Sequence, residues 1–256
     1  MDDRPTDAAA CGPDGCAVPA APATAGAARL SEITAPSRID IVSDAICPWC
    51  WIGKRHLEGA LRELAAEGER FEVHWRPFQL NPDMPAGGVE RDAYRAWKFG
   101  NLERSRELDA QVVAAGAAAG LEFRYDRQGR TPNTVDAHRV IHLAGEQGPA
   151  MQDAVVEALF RAYFHDGEDI GDRAVLTEVA AEAGMDRASV AAMLAGEAGV
   201  EEVRAEDAGF RKLGLSGVPT FALQGRVLFS GAMPAERMAE AFRRALGILR
   251  EQGRTG

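Results

Sequence analysis

The chain has 256 residues, 46% hydrophobic and 27% charged, with a formal net charge of −10. That balance suits a globular protein with an ample core. It excludes a membrane partner, because no apolar run reaches the ~20 residues of a span, and it excludes nucleic acid, because no basic cluster could track a phosphate backbone.

Residues 1–37 are rich in Ala, Pro, Gly and Thr and are expected to form a disordered tail, since they cannot bury enough surface to offset ordering entropy. The opening "MDDRPTDAAACGPDGC" is acidic and lacks the basic and apolar regions of a secretory signal, so a cytoplasmic setting is expected. Next, "RIDIVSD" alternates Ile39 and Ile41 with Asp40 and reads as a strand. In "PWCWIGKRHLEGALRELAAEG", Leu57, Leu61 and Leu64 recur on one helical face, Pro48 suits the first turn and Gly68 can stop the helix. "FEVHWRPFQL" (71–80) is a second strand, parallel to the first because a helix links them.

From Asn81 to Val200 the pattern is helical, with helices expected over 90–99, 102–119, 134–145, 150–165, 172–183 and 186–195 and a loop at 123–130. Another helix is expected over 199–215, then a hairpin of strands 220–224 and 227–230 turning at Gly225–Arg226, then a helix over 234–249. The order implies an α/β domain from residues 38–82 and 199–256, interrupted by a helical domain over 83–198.

Within "SDAICPWCWIGK" (43–54), Cys47 and Cys50 could be half of a zinc site, a structural disulfide or a redox pair. A closed zinc site needs four ligands and the folded part offers no second pair of matching spacing; "HRVIH" (138–142) lacks the glutamate of a zinc-protease motif. No metal is expected. A permanent disulfide suits neither the compartment nor so short a loop. A redox pair needs its first sulfur at a helix start, where free backbone N–H groups and the helix dipole favour thiolate over thiol. Cys47 stands there, and Cys50, a turn further in, would be the shielded resolving thiol. The pair also needs a surface for an extended substrate. "SGVPT" (216–220) offers one, because a cis Val218–Pro219 bond would turn the Val218 main chain toward an incoming chain.

The Cys-Pro-Trp-Cys after a strand, with the late Gly-Val-Pro-Thr-Phe, resembles the thioredoxin superfamily, and the long helical insertion resembles its DsbA branch. "TPNTVDAHRVIHLAG", "ALFRAYFHDGEDIGD" and "SGVPTFAL" are similar to the FrnE-like subgroup, related to kappa-class glutathione transferases and 2-hydroxychromene-2-carboxylate isomerases. The resemblance covers about residues 38–250. It implies a thioredoxin fold of α/β class, with Cys47 attacking, Cys50 resolving and Pro219 as the cis-proline opposite them. The isomerase and transferase relatives generally carry serine where this chain has Cys47, which favours disulfide chemistry. DsbA carries a histidine where this chain has Trp49, which implies a less oxidising pair.

Pro48, Trp49 and Val218 are expected to meet the substrate, with Trp49 at the rim and Trp51 in the core. Asn133 and Arg139, with Asp136, resemble a family stretch facing the cleft. Asp44 either caps a turn or relays a proton from Cys50, and His56 and His165 are expected at the surface. Cys11 and Cys16, spaced C-x-x-x-x-C in the tail, could be an auxiliary pair exchanging electrons with Cys47 and Cys50. The expected function is thiol–disulfide exchange with a protein or small molecule bearing a disulfide or dithiol. No resident cofactor is needed, and glutathione as co-substrate or a thiol reductase would recycle the pair. A glutathione-dependent isomerase of a small aromatic or polyketide molecule, or a non-enzymatic redox sensor, is the alternative. The sequence carries no signal of oligomeric state.

Overall fold

In the computed structural model, which describes residues 36–253, a four-stranded sheet forms around β1 (Ser37–Ser43). Its alternating Ile39 and Ile41 are fully buried, as a central strand covered on its faces requires. β1 leads into α1 (Pro48–Ala66), and the chain returns as β2 (Phe71–Pro77), parallel to β1 in the register Ile39 to Val73 and Ile41 to Trp75. β5 (Thr220–Leu223) pairs antiparallel on the other side of β1, and β6 (Arg226–Ser230) on β5, giving the order β2-β1-β5-β6.

The hairpin turns one residue earlier than the sequence reading, at Gln224 and Gly225, with φ of 50° and 76°. Two successive positive φ angles match the right-handed twist of the strands, and Arg226 is thereby freed to enter β6. α9 (Ala235–Gly253) packs on α1, with Met238 and Phe242 fully buried.

Between β2 and β5 lie β3 (Val89–Glu90), α2 (Arg91–Phe99), α3 (Leu102–Ala118), β4 (Arg130–Thr131), α4 (Val135–Glu146), α5 (Pro149–Arg161), α6 (Arg173–Glu182), α7 (Arg187–Ala195) and α8 (Val200–Lys212). α5 continues into a wider π turn over Ala162–Asp166, within the span expected for one helix. The stretch expected as loop 123–130 holds a single 3₁₀ turn, Tyr125–Arg127, and runs into β4, which pairs with β3. A two-residue ladder leaves no alternation to detect. At Gly88 (φ +64°) a Cβ would lie 2.7 Å from the Thr131 carbonyl oxygen, so only glycine admits that crossing.

One hydrophobic core joins the sheet to the helices between β2 and β5. Trp51 of α1 stacks near Phe164 (6.0 Å) and meets Phe123 edge-on (5.2 Å), while Trp75 of β2 meets Phe160 edge-on (6.2 Å). Gln152 of α5 acts as a further rung on β2, accepting from the Trp75 N–H (2.9 Å) and donating to its carbonyl (3.2 Å). Lys54 of α1 is buried and salt-bridged to Glu58, Asp153 and Glu157 (2.6, 3.0 and 3.3 Å), tying α1 to α5. Burial alone would lower its pKa, but the attraction of those carboxylates outweighs it and raises it. The described residues form one compact unit.

Candidate active site

β1 ends at Ser43, and the turn that follows is held by Asp44. Its carbonyl accepts from the Cys47 N–H (3.0 Å), and its fully buried carboxylate accepts from the N–H of Leu80 (2.7 Å) and of Ile46 (3.4 Å). Asp44 therefore holds the turn into α1 and ties it to the chain just after β2, which is the turn-capping one of its two expected roles. Cys47 is the N-cap of α1, its backbone extended, with Pro48 in the first turn. The Cys47 carbonyl accepts from the Cys50 N–H (3.0 Å), which puts the second sulfur one turn inward.

Both thiols are free, Cys47 4% exposed and Cys50 not at all. Burial, and then the Cys47 thiol beside it, hold the Cys50 thiol well above the ordinary cysteine range, protonated at neutral pH. Across from Cys47, the Val218–Pro219 peptide is cis, and the Cys47 Sγ lies 3.6 Å from the Val218 carbonyl oxygen. Pro219 is itself buried. A Cβ on Gly53 would stand 3.1 Å from its ring, so glycine lets α1 come this close.

These elements form one wall of a cleft of about 370 Å³, lined by Cys47, Pro48, Trp49, Gly217 and Val218. Trp49 is 40% exposed at its edge, and Trp51 is buried in the core. The opposite wall is α2 and α3, which present Arg91, Tyr94, Arg95, Lys98 and Asp109. Arg91 (2.7 Å) and Arg95 both bind the Asp109 carboxylate. Tyr125 and Tyr163 close the floor, and burial raises both phenols well above their usual range.

Two residues expected at the cleft lie elsewhere. Arg139 is buried, and its guanidinium donates to the carbonyls of Met193 (2.6 Å), Gly196 (2.7 Å) and Ala198 (2.7 Å) and to Asp136 (2.5 Å). Four of its five N–H donors are thus engaged, three of them on carbonyls at the end of α7 and the turn into α8. Asn133 donates to the Met84 carbonyl (2.7 Å) and accepts from the Val135 N–H (3.0 Å), pinning the entry to α4. Both are structural positions. His56 is half-buried, bonded to the Met233 carbonyl (2.9 Å), rather than a plain surface residue. Cys11 and Cys16 lie outside the described residues.

The sequence reading did not foresee the α2 wall, although Arg91, Tyr94, Arg95 and Lys98 follow helical spacing and so share a face. His138 is buried on α4, its Nε2 3.5 Å from the Asp44 carboxylate and without a hydrogen bond. Among the described residues no three His, Cys, Asp or Glu side chains gather as a metal site needs. No helix among them is long and apolar enough to cross a membrane.

A family model, the DSBA-like thioredoxin domain, matches residues 38–243. The chain is 26% identical over 192 residues to the uncharacterised protein YwbO of Bacillus subtilis, covering 74% of this chain and 88% of that one. Among solved structures it is similar to the probable DsbA oxidoreductase SCO1869 from Streptomyces coelicolor, with a TM-score of 0.73 and 34% identity over 82% of this chain and 90% of that one. A 2-hydroxychromene-2-carboxylate isomerase shares the fold, with a TM-score of 0.60 and 16% identity, over 85% of this chain and 98% of that one.

Proposed function

The chain belongs to the family of DSBA-like thioredoxin domains, and on that footing we propose that it is a thiol–disulfide oxidoreductase working through Cys47 and Cys50. One observation carries this reading: Cys47 caps α1 within 3.6 Å of the Val218 carbonyl, with a fully buried second thiol one turn behind it. Cys47, as thiolate, attacks a substrate disulfide. A bond forms between its sulfur and one substrate sulfur, and the other leaves as a thiolate that takes up a proton. Cys50 then loses its proton and attacks the Cys47 sulfur, closing the enzyme disulfide and releasing the second substrate thiol. Two electrons pass from the enzyme to the substrate. With a dithiol substrate and the oxidised enzyme, the same steps run in reverse. Val218 offers main-chain groups beside the sulfur, so an extended substrate would be held as by a strand edge.

In the test, the reduced Cys50→Ala protein is mixed with a small disulfide and the intact mass is followed. It should accumulate a stable mixed disulfide on Cys47. Wild type should pass to the internal disulfide, and Cys47→Ser should lose exchange at this site by roughly a thousandfold or more. A glutathione-dependent isomerase would instead keep its turnover without Cys50, and that outcome would overturn the proposal.

A further inference from the structure

The wall facing Cys47 is positively charged in a protein that is not. Among the described residues lining the cleft, three cations (Arg91, Arg95 and Lys98) and one carboxylate (Asp109) leave that wall at +2, against −10 for the chain. The two arginines are spent on structure. Arg91 binds Asp109 and Gln128 and lies 4.9 Å from the centre of the Tyr125 ring; Arg95 binds Asp109 and Ser105 and lies 4.5 Å from that of Phe99. Lys98 differs. Its ammonium donates to two neutral oxygens, Asn81 Oδ1 (3.1 Å) and Tyr94 OH (2.6 Å), and makes no carboxylate pair among the described residues. Tyr94 donates to the same Asn81 oxygen (2.5 Å), and the Asn81 amide nitrogen, itself buried, has no acceptor among the described residues. A cation without a carboxylate partner thus stands on the rim of the cleft that holds Cys47, bound to a residue whose buried amide donor is itself unused.

We propose that this wall makes the protein selective for disulfides carrying a carboxylate close to the sulfur, and that Lys98 is the residue that reads it. The inference rests on disulfide exchange at Cys47 and names the substrate class of that site. A cleft with low-dielectric walls concentrates the field of its charges, and electrostatic matching acts mainly on encounter rate and selectivity. Selection therefore precedes the covalent step, which stays as written above.

Single-turnover oxidation of the reduced full-length protein tests this without a second reductant. The oxidation state of the Cys47–Cys50 peptide is read by mass after alkylation in acid. Dithiodipropionate, hydroxyethyl disulfide and cystamine supply negative, neutral and positive substrates of similar size. The rate constant for the diacid should exceed that for the neutral disulfide by roughly fivefold, after correction for their rates with a free thiol, and the excess should shrink as salt is added. Lys98→Ala should bring the ratio toward one, and Lys98→Glu should invert it in favour of cystamine. A second arm compares a disulfide-linked peptide with aspartates beside its cysteine against the asparagine version. Preference for the aspartate peptide would identify acidic polypeptides as the source, and preference confined to the diacid would identify small molecules; either supports the proposal. Equal rates for negative and neutral substrates would overturn it while leaving disulfide exchange standing. Failure to oxidise with any of them would overturn both.

Discussion

Cys50 holds its proton because no water reaches it, and that sets how exchange should respond to pH. Burial raises its pKa, with the neighbouring Cys47 thiol adding to the shift. The thiolate is the attacking form, so the rate at which a mixed disulfide on Cys47 is resolved should climb about tenfold per pH unit through the neutral range. Stopped-flow release of the second substrate thiol would check this, and a flat profile would contradict it. The same shift has a stability sign. A thiol whose folded pKa lies above its unfolded value contributes stability in full below the unfolded value and loses it as pH rises through the folded one. The reduced protein should therefore lose urea resistance in alkali, while the oxidised protein, with no such proton, should not. Cys47, Cys50 and the cis bond before Pro219 were legible because each rests on a local signal: a helix start, a one-turn spacing, a proline opening a strand. Arg139 and Asn133 were misplaced for the opposite reason. Which way a polar side chain on α4 or just before it turns depends on carbonyls near residues 84 and 193–198, which no local pattern announces.

At the scale of elements, periodicity located most helices to within a residue or two, because each carries an apolar stripe, but α8 ends three residues before the expected 215 and α9 runs four beyond the expected 249. It gave no account of what holds β2 to α5. Gln152 serves both main-chain groups of Trp75 and also donates to the Ile141 carbonyl (3.3 Å), while it is itself buried. Gln152→Leu would fill the space but strand a buried N–H and C=O. It should cost about 3 kcal/mol, read as a fall in urea midpoint with unchanged slope. A loss under about 0.5 kcal/mol would mean that water replaces the amide. In sequence this glutamine is one polar residue near the start of a helix, indistinguishable from a solvated one.

Across residues 36–253 a sheet and a helical body share one aromatic seam. Trp51, Trp75, Phe123, Phe160 and Phe164 come from both sides of it. The order of elements suggested the insertion, but not that its core would be continuous with that of the sheet, because contacts between segments far apart in sequence leave no periodic trace. Such a seam should make unfolding one cooperative event. Far-UV circular dichroism and tryptophan fluorescence should give the same midpoint in denaturant, and two separated transitions would show that the helices between β2 and β5 melt alone. The two outer strands of the sheet are also interrupted. β2 is capped at Trp75 by Gln152, and β6, the other outer strand, carries an extra residue, Leu228, where its pairing with β5 shifts register. Neither border offers a straight, unpaired ladder on which a foreign strand could grow. An extended segment laid beside the sulfur would thus find no second, straight strand edge along which to spread.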